Sequence, residues 1–159
     1  MISVKIIAVG TLKESYLRDA ASEYAKRLSA YCKLTFVQLK ESKLPDLPSQ
    51  KEIDNALSEE AKMIAAELSP RAYKIAMCVE GKQISSEELS EKLEAVAQEH
   101  SEVCFVIGSS YGLSDSIKTM CDMRLSVSKL TFPHQLLRVM LLESIYRSFN
   151  ITAKTKYHK

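Results

Sequence analysis

The chain alternates strand-like and helix-like segments from end to end, and that alternation constrains the fold more than any motif. Strand-like runs occur at ISVKIIAV (2–9), KLTFVQLK (33–40), YKIAMCV (73–79), EVCFVIG (102–108) and MRLSVSKL (123–130). Helix-period segments fill the gaps at 14–30, 50–68, 86–100 and 114–122, and a last one covers 134–149. Most of these runs are apolar at consecutive positions, which suits strands covered on both faces; a strand with one wet face would alternate. Ser49 with Glu52, and Ser85 with Glu88, have the spacing of capping boxes at helix starts, and Pro70 helps to end the second helix. Five strands alternating with five helices predict an α/β fold with a parallel-type sheet and helices on both faces. The expectation is a single domain over 1–159, with no internal repeat and no second domain. Its chemistry should lie beyond the carboxyl ends of the strands.

Composition excludes several classes. The chain is 46% apolar and 26% charged, close to the average mix. Its longest apolar runs are about five to seven residues, against roughly 20 for a membrane span. The opening MISVKIIAVG is too short for a signal peptide and lacks a small-residue cleavage site. A cytoplasmic protein without a membrane partner is expected. Cys32, Cys78, Cys104 and Cys121 are widely spaced with no C-x-x-C, so free thiols and no metal site are expected. The net charge of +2 conceals an asymmetry: residues 101–159 hold 8 of the 22 basic side chains but 4 of the 20 acidic ones. A basic final third suits an anionic partner such as RNA.

The loop Gly108-Ser109-Ser110-Tyr111-Gly112 matches the G-x-S-x-G pattern of a nucleophile elbow. Ser110 would be the nucleophile, with Asp115 or Asp122 and then His134 following in the chain order of a serine hydrolase. Five strands are few for that fold, and only one follows Ser110. The other reading is a tight turn that needs small residues. Neither a phosphate loop nor a dinucleotide fingerprint is present. Three strand ends are built alike, however: Gly81, then Gly108 to Gly112, then Ser128 to Pro133. Small residues let backbone amides approach a flat heterocycle such as adenine, with Met77, Leu130 and Phe132 as apolar walls. For any one of those three side chains taken alone, plain core packing is the readier explanation.

The final helical segment is apolar around most of its circumference, from Leu136 and Leu137 through Val139, Met140, Leu141 and Leu142 to Ile145, Tyr146 and Phe149. Such a helix is buried on more than one side, and a second subunit is one candidate cover. Glu143 and Arg147 are four apart in the favourable order, so Arg147 is either half of a surface ion pair or a functional cation. His134 either contacts a ligand or is a partly exposed residue of the first helical turn. The tail, Thr152 to Lys159, mixes Lys154, Lys156 and Lys159 with Tyr157 and His158, rings that can stack on bases. It is either a disordered basic end or a segment that folds over a site.

The segments IIAVGTLKESY, FVIGSSYGL, SVSKLTFPHQLLRVMLLESIYR and the terminal YHK resemble the bacterial SPOUT-class ribosomal RNA large subunit methyltransferase H family, over essentially the whole chain. That family methylates N3 of a pseudouridine in 23S rRNA. The resemblance implies a C-terminal deep trefoil knot, an obligate homodimer that uses the last helix, and the ribosome as partner, with no DNA. It implies S-adenosylmethionine among the three loops, at Met77, Gly108, Ser109 and the run Val127, Ser128, Lys129, Leu130, Thr131 and Phe132. Members of the family often carry Gly-Gly where this chain has Gly108-Ser109, so a serine hydroxyl could enter the pocket. The transfer needs the N3, methyl carbon and sulfur in line and the imide proton removed, a task of positioning that calls for no metal. His134, Arg147, Lys154, Lys156, Tyr157, His158 and Lys159 are the expected RNA-binding residues. Arg147 and His158 are the expected catalytic ones, with one subunit's tail serving the other's cofactor. A serine hydrolase and a non-catalytic RNA-binding module are the rival expectations.

Overall fold

The computed structural model describes residues 1–159. Five strands and five helices follow one another as β1 (Ser3–Val9), α1 (Ser15–Leu28), β2 (Lys33–Leu39), α2 (Gln50–Glu67), β3 (Tyr73–Lys82), α3 (Ser86–Glu99), β4 (Glu102–Ile107), α4 (Asp115–Met120), β5 (Met123–Leu125) and α5 (His134–Thr152). The strands form one sheet in the order β2-β1-β4-β3-β5, every pairing parallel. Parallel neighbours require crossover helices, and these cover both faces. Val4, Ile6 and Ala8 of β1 point with Val103, Phe105 and Ile107 of β4 into a core under α1, α3 and α5. Ile7 and Val9 point the other way, with Cys104 and Val106, into a core under α2 and α4. The uninterrupted apolar runs thus have a packing reason on each side. No helix is long and apolar enough to cross a membrane.

Both capping boxes form. The Ser49 hydroxyl accepts from the Glu52 amide at 3.2 Å and the Glu52 carboxylate accepts from the Ser49 amide at 3.1 Å; Ser85 and Glu88 repeat the pattern at 3.1 and 2.7 Å.

The expected boundaries need three corrections, two of them at the carboxyl edge of the sheet. The fifth strand was expected over 123–130 but is only Met123–Leu125. Beyond it the Ser128 hydroxyl accepts from the Leu130 amide at 2.9 Å, a local turn that replaces strand pairing. The third strand runs on past 79 to Lys82 and curls around the end of β5, so Leu125 is registered against both Met77 and Lys82. The Ser126 amide donates to the Lys82 carbonyl at 3.0 Å there. The last helix extends from 134 to Thr152, with Pro133 just ahead of it at the N-cap position.

Gly81 explains how the two segments cross so closely. A Cβ on it would lie 2.6 Å from the Leu125 carbonyl carbon and 2.8 Å from two backbone nitrogens. Only glycine allows backbone to pass backbone at that distance. From this crossing, residues 126–133 run past the ends of β3 and β4 into α5, which packs between α1 and α3.

Candidate functional site

Two of the three loops singled out in the sequence, those after β4 and β5, converge with the end of β3 on one cleft of about 790 Å3, while Gly81 itself lies outside it. Its walls come from Met77 to Glu80 at the end of β3, from Ile107 to Leu113 after β4, and from Leu125 to Ser128 and Leu130 to His134 after β5. The volume is that of a small-molecule site. Gly108 begins the middle loop because its turn is closed on itself: a Cβ there would lie 2.2 Å from the Gly112 carbonyl oxygen. Gly112 has φ +83°, the left-handed region glycine occupies at no cost.

The floor is apolar, from Met77, Ile107 and Leu125, while Leu130, at 72% exposure, stands at the mouth. The third loop supplies free polar backbone. Between Val127 and Phe132 the only such groups bonded to protein are the Leu130 amide, held by the Ser128 hydroxyl, and the Ser128 carbonyl, which accepts from the Ser126 hydroxyl at 2.9 Å. Unpaired amides and carbonyls beside an apolar slot suit a purine edge and an amino-acid moiety. The residues present therefore fit an adenosyl group.

Met77, Gly108, Ser109, Val127, Ser128, Leu130, Thr131 and Phe132 all line the cleft; the exposed Lys129 is not part of its wall. The Ser109 hydroxyl, which could have entered the pocket, instead donates to Glu60 Oε1 of α2 at 2.8 Å. Glu60 is 3% exposed and also accepts from the Ser42 amide at 3.0 Å. This buried carboxylate ties the cleft loop to α2. Nothing in the sequence marked it, since it is one acid among several on an ordinary amphipathic helix. Ser110 lines the cleft but makes no side-chain hydrogen bond to His134, and Asp122 is engaged in accepting from the Lys74 amide at 2.8 Å. The contacts a serine hydrolase needs are not assembled.

His134 lies at the cleft wall, close to Gly10 and Glu41. Burial lowers its pKa, with Glu41 pulling the other way, so it presents a neutral imidazole at pH 7.

Arg147 and the tail form a second cluster. The Arg147 Nε donates to Glu143 Oε1 at 2.8 Å, with Nη2 at 2.6 Å from the same oxygen, and the guanidinium lies 4.7 Å from the centre of the Tyr157 ring. The Tyr157 hydroxyl donates to Glu143 Oε2 at 2.7 Å. Burial works to raise the Glu143 pKa, but the hydrogen bonds from Tyr157 and Arg147, with Tyr24 nearby, prevail and hold it below the usual carboxylate range. His158 Nδ1 is 3.3 Å from Arg147 Nη1 and its Nε2 is 2.7 Å from Glu87 Oε1. Arginine can only donate, so Nδ1 accepts and Nε2 carries the proton toward Glu87. The side chains of Lys154, Lys156 and Lys159 are exposed.

Within one chain the cleft and the tail cluster stand apart. His134 and Arg147 are thirteen residues apart on one helix, about 20 Å along its axis. The tail therefore folds back onto α3 and α5 and does not cover its own chain's cleft.

A parallel sheet whose C-terminal segment passes behind a curled strand end, with a small-molecule cleft at that crossing, defines the class of knotted methyltransferases. Solved structures agree. A probable methylase family protein from Haemophilus influenzae superposes with a TM-score of 0.56 at 17% identity, over 100% of this chain and 72% of that one. A tRNA (m1G37) methyltransferase from Aquifex aeolicus gives 0.54 at 11% identity, over 91% and 69%. The family described as "Predicted SPOUT methyltransferase" matches residues 2–158. Proteins called ribosomal RNA large subunit methyltransferase H are similar along their whole length: that of Leuconostoc mesenteroides is 43% identical and that of Clostridioides difficile 42%, each over 99% of this chain and 100% of the relative. The chain belongs to the SPOUT methyltransferases, in the family of ribosomal RNA large subunit methyltransferase H. The methyl donor of this class is S-adenosylmethionine.

Proposed function

We propose that the chain methylates N3 of a pseudouridine in 23S rRNA, acting on the ribosome in the cytoplasm as a homodimer with composite sites. The relatives' shared name supports rRNA as substrate. The observation that carries the composite site is the distance of about 20 Å between the cleft and the tail cluster of one chain. A second copy whose α5 packs antiparallel would bring its Arg147, Tyr157, His158 and Lys159 over the first copy's cleft. The apolar surface of α5 suits that packing: Leu136 is 36% exposed and Leu137, Val139 and Met140 are only half-buried.

S-adenosylmethionine, when bound, supplies a methyl on a sulfonium, an already good leaving group. Met77, Gly108, Ser109 and Val127 to Phe132, without Lys129, would hold it against the strand ends. The remaining task of the protein is to orient the uracil-type ring and ease loss of its imide proton. Arg147 and Lys159 supply positive charge that favours an N3 anion, and Tyr157 supplies a ring for stacking. His158 is the candidate proton acceptor, through an Nδ1 that must first release Arg147 Nη1.

The test is incubation with ribosomes and methyl-labelled cofactor, followed by nucleoside analysis. Label in 3-methylpseudouridine is expected; label in another nucleoside overturns the base assignment, and no label overturns the function. A mixed dimer tests the composite site. A subunit lacking Tyr157–Lys159 and a subunit with a blocked cleft, each inactive alone, should regain up to about a quarter to a half of the activity when mixed, as random pairing dictates. Continued inactivity would overturn it.

A further inference from the structure

Arg138 is a cation without a counter-charge. Its side chain on α5 is fully buried, yet its one hydrogen bond is from Nη2 to the Gly10 carbonyl at 3.1 Å. Nε and Nη1 have no partner, and no carboxylate pairs with it. An arginine cannot shed its proton to escape such a site, so the desolvation cost stands in the free chain. A group of this kind calls for an explanation beyond packing.

Arg138 lies beneath the surface of a second cavity of about 460 Å3, between α1, the loop after β1 and the end of β2. The polar rim consists of Thr11, Arg18, Ser22 and Gln38, and no acidic residue lines the cavity. Arg18 is held in place by donating from Nη1 to the Leu12 and Lys13 carbonyls at 3.1 and 2.6 Å. Two hydroxyls, one amide and the Arg18 guanidinium around one hollow, with the buried Arg138 charge behind them, make a donor set for a tetrahedral oxyanion. The hollow also adjoins the methyl-transfer cleft. Arg138 holds the carbonyl of Gly10, and His134, one turn earlier on α5 and about 6 Å away along its axis, stands beside Gly10 in the cleft wall.

We propose that this cavity seats a backbone phosphate of the substrate RNA, next to the nucleotide presented to the cleft. Thr11, Arg18, Ser22 and Gln38 contact the phosphate oxygens, and the Arg138 charge acts on them from below, shielded from solvent. The phosphate supplies the counter-charge that the buried guanidinium lacks. The assignment to RNA rests on the function proposed above, whereas the oxyanion chemistry does not.

The full chain and Arg138→Met are compared in two measurements. In the first, melting temperature is read in inorganic phosphate and in chloride at matched ionic strength. Phosphate should raise the melting temperature of the wild type clearly more than that of Arg138→Met, which keeps only the general stabilisation by an excluded salt. In the second, binding to ribosomes is followed as salt is varied. Arg138→Met should bind roughly tenfold more weakly, with a log–log salt slope shallower by about 0.7–0.9, the loss of one phosphate contact. Its thermal response to S-adenosylmethionine should be retained. An equal phosphate response in both chains overturns the oxyanion site and leaves Arg138 a structural residue. A phosphate response lost without any change in ribosome binding or slope overturns the RNA assignment in favour of free phosphate. Should Arg138→Met not fold, the rim variant Thr11→Val/Ser22→Ala carries the same two readouts. Wild-type protein that methylates no ribosomes overturns the preceding proposal instead, since phosphate stabilisation requires no turnover.

Discussion

Replacing Glu143 with Gln removes the charge that organises the tail while leaving the shape of the side chain. Its two carboxylate oxygens are divided between Arg147, at 2.8 and 2.6 Å, and the Tyr157 hydroxyl, at 2.7 Å. Gln keeps one neutral acceptor and loses the other. A hydrogen bond to a charged group contributes about 1.5–3 kcal/mol. Glu143 and Arg147 are 25% and 30% exposed, so solvent screening puts the loss toward the lower end, about 1–2 kcal/mol. That lowers the ratio of docked to free tail about 5- to 30-fold. Amide hydrogen exchange at Thr155 and Tyr157 reads this directly, because their amides bond to the Asn150 carbonyl at 3.0 Å and the Thr155 hydroxyl at 3.3 Å. Exchange should accelerate by the same factor, methyl transfer should fall, and cofactor affinity should not change. The pH dependence has a definite sign. A carboxylate with a lowered folded pKa contributes stability above its ordinary value of 4.5, and that contribution is lost as pH falls through the lowered value. Wild-type docking should therefore persist at pH 5 and fail only in stronger acid, a step the Gln variant lacks. Equal exchange rates in the two proteins at neutral pH would refute the reasoning.

Gly81→Ala places a Cβ 2.6 Å from the backbone of Leu125, with no flexible side chain to yield, so a loss toward the upper end of the usual overpacking range, about 3 kcal/mol, is expected in denaturant melts. Ser110→Ala should leave cofactor binding within about twofold and methyl transfer intact, whereas Ser109→Ala, which strips a buried bond from Glu60, should lower stability by about 1–3 kcal/mol. For His134 the folded pKa is lowered from 6.5, so its contribution is full above pH 6.5 and is lost as pH falls through the folded value. His134→Gln should flatten the stability profile in that window, as read by melting temperature against pH. Burial pushes the Cys104 thiol up to about 12 and Cys32 to about 11, so in the native chain both should resist alkylation at pH 7, with rapid labelling only after denaturation.

The elements of the fold were legible wherever local chemistry decides structure. Capping serines with glutamates three residues on, and apolar runs too continuous for a half-wet strand, each encode a local outcome. The expectation went wrong at MRLSVSKL, whose pattern reads as strand beyond Leu125. There the partner edge is consumed by β3 curling past Leu125, a tertiary event that periodicity cannot carry. Two of the cleft loops were legible because small residues cluster after β4 and β5; Gly81, read as a third such loop, lies outside the cleft and serves the backbone crossing, while the wall beside it is Met77 to Glu80. Their supports were not: Glu60 and Arg138 resemble ordinary helical charges in the sequence, and only burial distinguishes them. The order of the strands was equally silent, since it depends on which crossover packs where.

The crossing at Gly81 links the fold to the site. In an open doubly wound sheet a ligand rests on loops that can each move separately. Here the segment that forms the third cleft wall, Ser126 to Pro133, is held at its start by the Lys82 carbonyl, and at its end it enters α5, a helix wedged between α1 and α3. Moving that wall requires moving either the curled end of β3 or the whole of α5. Residues that have no regular secondary structure of their own, and mostly unpaired backbone groups, are therefore kept in one arrangement by what they pass through. That is preorganisation in a reaction whose catalytic demand is alignment. It also explains why loosening Gly81 should damage cofactor affinity as well as folding, although Gly81 lines no part of the cleft. A Gly81 variant that folds and binds S-adenosylmethionine with wild-type affinity would show that the loop is ordered by the ligand and not by the crossing.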